Sequence, residues 1–174
     1  MMKPRIHTSC PWLRGWKRHR HHRAVFWKRT RIERLIARHF RHRWIPLRDY
    51  HKGPLLGDSE YYLPTLDEAL TIIRNSHVDS QKYAQFRFDC EDFAYVLKSH
   101  FCQAAYRKKR RQYAYCFGII WGEELWNGTS AEPHAMNWML TSDGVIRLVE
   151  PQTGKARELQ PADVADRRIY LLIA

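Results

Sequence analysis

From Tyr113 to Trp121 a large apolar side chain stands at every second position: Tyr113, Tyr115, Phe117, Ile119 and Trp121. A period of two places all five on one face of an extended chain, and a strand with one apolar face needs a second layer to cover it. The pattern continues downstream. His134 to Leu140 reads as a second strand, Ser142-Asp143-Gly144 as a turn and Val145 to Glu150 as a third strand. Pro151-Gln152-Thr153-Gly154 turns the chain again, and Arg168 to Ile173 reads as a closing strand. Connections this short join antiparallel neighbours. The exception is the loop from Gly122 to Pro133, longer than a simple hairpin needs.

Upstream the period is helical. Val25, Ile32, Leu35, Ile36, Phe40 and Trp44 fall on one face of a stretch from Ala24 to Trp44, which Pro46 ends. Residues 46–63 read as a loop, with Gly53-Pro54 and Gly57-Asp58 as turn signals. Thr65-Leu66-Asp67-Glu68 fits a capping box, with Thr65 as the cap and Glu68 reaching back, and a helix follows to about Asn75. A third helix starts at Asp89-Cys90 and carries Phe93, Val96, Leu97 and Phe101 at helical spacing. Helices first and an antiparallel meander after make the expected class α+β, with the N-terminal helices packed on the sheet.

Charge divides the chain in two. Residues 1–50 hold 15 of the 30 Lys and Arg but only two of the 18 acids, Glu33 and Asp49. The first 50 residues are therefore strongly basic and the remainder is close to neutral. The expected organisation is a basic His- and Trp-rich arm over 1–50 and a single domain over 51–174. Trp12, Trp16, Phe26 and Trp27 interleave with the arm's basic residues. Lys17, Arg18, Arg20, Arg23, Lys28, Arg29 and Arg31 are the expected contacts to a polyanion. Phosphates would release counterions there and exposed bases could stack on the aromatics. An anionic membrane surface would suit the same helix, and so would simple packing of that helix on the domain. No apolar run reaches the roughly 18 residues needed to span a bilayer. Residues 1–23 contain no apolar segment of the secretory type, so a cytoplasmic location is expected. Cys10, Cys90, Cys102 and Cys116 form no Cys-x-x-Cys pair, which argues against a zinc ribbon or a thioredoxin-like motif.

Cys90 stands where a thiol meets the unsatisfied N–H groups and positive dipole end of a helix, an environment that favours the thiolate. The alternative is that it only packs, as free cysteines commonly do. His134 opens a strand directly after a loop, and Glu150 closes the next strand across the Ser142–Gly144 turn. An antiparallel hairpin centred on that turn makes them cross-strand neighbours. Cys90, His134 and Glu150 then fit the roles of nucleophile, base and the carboxylate that orients the base.

Phe88-Asp89-Cys90-Glu91-Asp92-Phe93-Ala94, with His134-Ala135-Met136-Asn137-Trp138 and Val149-Glu150-Pro151-Gln152-Thr153-Gly154, resembles the papain-like C-terminal protease domain of the fairy-ring mushroom agglutinin. It is also similar to related bacterial and phage proteins, and more distantly to transglutaminase-like cysteine peptidases. The resemblance covers about residues 58–174 and excludes the basic arm; the lectin repeat that precedes the domain in the mushroom protein has no counterpart in this sequence, so the resemblance does not imply carbohydrate binding. It implies a papain-like fold and a cysteine peptidase acting on a peptide or protein through Cys90, His134 and Glu150. It also implies calcium, for which Asp89, Glu91 and Asp92 would be hard oxygen ligands. The same acids would stabilise a helix start without any metal. The Cys90 N–H and the Gln85 side chain are the expected oxyanion donors. Two functions follow: a thiol-dependent hydrolase tethered by its arm, or a catalytically silent papain-like module that delivers the arm to nucleic acid or to a protein partner.

Overall fold

The computed structural model describes residues 24–40, 54–108, 112–123, 125–126, 133–160 and 169–174. It begins with a strand. β1 (Val25–Lys28) pairs antiparallel with β2 (Glu60–Leu63), Val25 opposite Leu63 and Lys28 opposite Glu60. Between them in sequence comes α1 (Arg29–Phe40), and α2 (Leu66–Ser76) and α3 (Cys90–Arg107) follow β2. Five further strands, β3 (Phe117–Glu123), β4 (Pro133–Leu140), β5 (Ile146–Glu150), β6 (Lys155–Glu158) and β7 (Ile169–Ile173), form one antiparallel sheet in the order β6-β5-β4-β3-β7.

Each helix is placed by its own apolar stripe. Ile32, Ile36 and Phe40 of α1 are buried in one core cluster with Leu56, Tyr61, Ile120, Met136, Trp138 and Leu148. α2 and α3 pack a second cluster in which Ala69, Ile73, Phe93, Leu97 and Phe101 meet Tyr115, Phe117, Met139 and Val149. Residues adjacent along β4 alternate between the two clusters, Trp138 in one and Met139 in the other. The sheet is thus covered on both faces, as its period of two requires. Asn137, fully buried in β4, ties α3 to the sheet by donating to Ala94 O and Gly118 O, both at 3.0 Å.

Gly118 marks the closest approach in the sheet. Its pairing partner Trp138 sends its indole N–H to Ile173 O at 2.9 Å. A Cβ at position 118 would stand 1.8 Å from that carbonyl oxygen. Beyond β7 the main chain of Leu55 and Gly57 continues the hydrogen bonding, with Leu55 N–H to Leu172 O at 2.8 Å, Ala174 N–H to Leu55 O at 3.1 Å and Gly57 N–H to Ala174 O at 3.2 Å. The opposite edge is β6, Lys155-Ala156-Arg157-Glu158.

Several expectations are corrected by this structure. The papain-like α+β arrangement, helices packed first and a meander after, is not what organises the chain. Among the described residues seven strands stand against three α-helices, and the first element is a strand. The helix expected from Ala24 starts only at Arg29, because Val25, Phe26 and Trp27 are β-formers that pair with Tyr61, Tyr62 and Leu63. The end of the expected loop over 46–63 is β2 for the same reason. β3 begins at Phe117 rather than Tyr113. Tyr115 keeps the alternation but makes an isolated parallel bridge to Tyr62. β6 occupies residues expected only to follow a turn. Thr65 does cap α2, accepting from Glu68 N–H at 3.1 Å, but the Glu68 carboxylate takes the Tyr62 and Tyr115 hydroxyls at 2.7 Å each, and Lys108 as well. The arm's first residues, the turn signal Gly53, Trp44, Pro46 and most of the long loop after Gly122 lie outside the described residues.

Candidate functional site

α3 starts at Cys90 with Asp89 as its N-cap, and Asp92 accepts from Asp89 N–H at 3.2 Å. That reach back fixes the first turn and holds the half-buried Cys90 thiol at the positive end of the helix. His134 is the second residue of β4 and Glu150 the last of β5. Antiparallel pairing brings these two strand ends to one margin of the sheet. The register that sets Asn137 opposite Val149 carries Glu150 opposite Met136, two residues inward of His134, and the imidazole spans the diagonal with Nε2 2.7 Å from Glu150 Oε2. The other Glu150 oxygen accepts from Gln152 N–H at 3.1 Å. Cys90 is a second hydrogen-bond partner of the ring, and its sulfur lies 3.4 Å from Glu91 Oε2. The structure therefore brings Cys90, His134 and Glu150 together. The Gln152 main-chain donor had no signal in the sequence, since any residue but proline could supply it.

Burial alone would push the His134 imidazole down, but its hydrogen bonds to Cys90 and Glu150 and their charges outweigh burial, and its pKa rises from 6.5 to about 9. His134 is an imidazolium at neutral pH. The stabilisation this brings is fully present below pH 6.5 and is lost as pH rises through about 9. We expect NMR titration of His134 to give a midpoint near 9, and Glu150→Gln to move it down toward 6.5. Wild-type melting temperature should fall more steeply across that window than the variant's. An unmoved midpoint would rule out Glu150 as a charge partner.

Asp89, Cys90 and Glu91 can each point one ligand atom to a common spot, the three atoms lying within 4.8 Å of one another. The Glu91 carboxyl is pushed up, first by its hydrogen bond with Asp89 and then by burial, as expected of two carboxylates that crowd each other. Asp89 Oδ1 is buried with no hydrogen-bond partner among the described residues. These features suit a cation at Asp89 and Glu91, whereas Asp92 is committed to the helix cap. Gln85 is exposed, in the turn closed by the Ala84–Phe88 bridge. The same turn exposes Tyr83 at 56% and Phe86 at 91%, four residues before Cys90. Cys116 is buried and its thiol is pushed up to about 12, mainly by that burial, while Cys102 is exposed. Of the basic residues expected to meet a polyanion, Lys17, Arg18, Arg20 and Arg23 lie outside the described residues. Lys28 is exposed on β1, Arg29 pairs with Glu33 at 3.6 Å and Arg31 lies over the Trp27 ring at 3.6 Å. No helix among the described residues is long and apolar enough to cross a membrane.

The family model described as agglutinin C-terminal matches residues 61–156, more than half of the chain. No curated protein matches it. Among solved structures, one similar chain is a Polyporus squamosus lectin, described as bound to the human-type influenza-binding epitope Neu5Acα2-6Galβ1-4GlcNAc. It has a TM-score of 0.67 and 20% identity, over 86% of this chain and 50% of that one. Another, described as a PSL1a–E64 complex, has the same TM-score and 23% identity over the same shares. The chain thus spans half the length of the solved chains it matches, and shares their fold. These findings correct the resemblance to a papain-like protease and the readings built on it. The matched family is described as agglutinin, a matched fold is that of a lectin, and neither description names a peptidase. The assignments as cysteine peptidase, thiol protease, hydrolase or enzyme are withdrawn, and neither a peptide substrate nor nucleic acid gains support.

Proposed function

The chain belongs to the agglutinin C-terminal family, and from that premise we propose that it is a carbohydrate-binding module of agglutinin type, with the side-chain cluster of Cys90, His134 and Glu150 as its ligand site. The observation that carries this reading is the family match over residues 61–156. The lectin with the same fold, described as bound to a sialylated trisaccharide, supports the class of ligand. The site has features a saccharide would use. His134 supplies a fixed positive charge, since Glu150 and Gln152 hold its orientation. Asp89 and Glu91 supply acceptors for hydroxyls, directly or through a bound Ca²⁺, which takes such oxygen ligands. Phe86 and Tyr83 offer exposed aromatic faces to the C–H side of a pyranose ring.

Calorimetric titration of the whole chain with Neu5Acα2-6Galβ1-4GlcNAc, in calcium and in chelator, tests this reading. Mapped iodoacetamide modification of the cysteines should accompany it. Saturable binding is expected, stronger in calcium. Half-buried Cys90 should be alkylated faster than Cys116, whose thiol is buried and pushed up, and saccharide should slow that reaction while leaving exposed Cys102 unaffected. Absence of both heat and protection at millimolar saccharide would defeat the proposal.

A further inference from the structure

A second candidate site, sharing no residue with that cluster, lies between β1 and α1. Arg31, Arg34 and Arg38 recur at helical spacing on α1, and with Trp27 and Leu35 they line a cavity of about 210 Å³. Three guanidinium groups around one hollow repel each other. Among the described residues no carboxylate lines the cavity. Glu33, the one acid of α1, pairs with Arg29 and lines a different hollow with Pro54 and Ala174. Glu60 of β2 sits in register with Lys28. The wall is also held in place. Arg31 stacks 3.6 Å over the Trp27 ring, whose far edge rests by Gly144, where a Cβ would be 3.7 Å away. Ile32 and Ile36, on the reverse of the helix, are fully buried and anchor it.

We propose that this cavity binds the sulfate or carboxylate group of an acidic saccharide. Arginine forks match the paired oxygens of such groups, and arginine gives up its hydration more readily than lysine does. Size limits the ligand to one anionic group and part of the ring that bears it, since the cavity is smaller than the ~300 Å³ of a small drug-type site. Among the described residues Trp27 is the one aromatic that lines the cavity, and Arg31 already covers its face, which disfavours a stacked nucleobase there. The choice of a saccharide as carrier of the anion rests on the carbohydrate reading above, whereas the anion site rests on the arginines alone.

The test is a titration of the whole chain with a heparin-derived hexasaccharide, with inorganic sulfate, and with a single-stranded oligonucleotide of equal charge. Each is repeated on Arg34→Gln/Arg38→Gln and on Arg34→Lys/Arg38→Lys. The readout is the difference between wild type and variant, because residues 1–23 carry further basic side chains. Both arginines are exposed, so the variants should melt like wild type. The hexasaccharide should bind the glutamine variant about tenfold or more weakly. The lysine variant should fall between, and inorganic sulfate should bind far more weakly than the hexasaccharide. Unchanged hexasaccharide affinity in the glutamine variant would overturn the site. Inorganic sulfate binding as tightly as the hexasaccharide would overturn the saccharide, and so would an oligonucleotide that binds more tightly and is equally sensitive to the substitutions. Protection of Cys90 from iodoacetamide by Neu5Acα2-6Galβ1-4GlcNAc, which reads the Cys90 site alone, should be the same in all three proteins. Absence of arginine-dependent binding with that protection intact sinks the pocket alone, and the reverse sinks the Cys90 site alone.

Discussion

Alanine at position 118 is expected to destabilise the protein by about 3 kcal/mol or more, more than most additions of a single methyl group. The added Cβ would meet the Ile173 carbonyl oxygen at 1.8 Å and the Trp138 indole nitrogen at 2.6 Å. The carbonyl is main chain in β7, so it cannot rotate aside as a flexible side chain could. β7 must move away from β3, and the hydrogen bond from Trp138 to Ile173 must break with it. Urea denaturation followed by tryptophan fluorescence would measure the loss, with a drop in melting temperature of roughly 6–12 °C for a chain of this size. A loss below about 1 kcal/mol would mean that the β3–β7 contact is looser than described.

Phe101→Ala should cost a comparable ~3–5 kcal/mol. Phe101 is 1% exposed on α3, stacks on Phe117 at 3.6 Å between ring centroids, and meets Tyr115 edge-on at 5.5 Å. Its removal leaves a cavity where helix and sheet meet, with two aromatic partners that cannot both follow the void. Tyr106 of the same helix is 89% exposed, and Tyr106→Ala should change stability by less than about 0.5 kcal/mol. Chemical denaturation of the pair separates burial from helix propensity. Equal losses would refute the assignment of Phe101 to the core.

What could be read from the sequence was what neighbours in the chain decide. The Thr65 cap depends on residues within one turn, and the start of α3 on the acids around Cys90. The hairpin of β4 and β5 depends on Asp143 and Gly144 between two apolar runs; the Asp143 carboxylate accepts from Arg147 and from Val145 N–H, and Gly144 takes a φ of 81°. The place of His134 beside Glu150 followed from that hairpin. What escaped were pairings set by distant residues. Val25 fits a helical stripe as well as a strand, and only the pairing of Val25, Phe26 and Trp27 with Leu63, Tyr62 and Tyr61, some 36 residues on, decides the matter. Glu68 was free to complete a capping box until Tyr62, Tyr115 and Lys108 converged on it. The activity was the least legible part. Three side chains whose geometry suits covalent chemistry were read as an enzyme, and they belong to a chain with the fold of a lectin. A constellation limits what a site can hold; it does not name what the protein does with it.

The two margins of the five-stranded sheet bear on how this protein behaves when many copies are crowded together. A strand with a vacant side is a template on which another molecule's backbone can register and seed fibrils. Here one margin is a four-residue strand carrying Lys155, Arg157 and Glu158, too short and too charged to recruit a neighbour. At the other, the main chain of Leu55 and Gly57 already occupies the donors and acceptors at the end of β7. Strand addition is therefore disfavoured at both margins, by charge at β6 and by the protein's own chain at the end of β7.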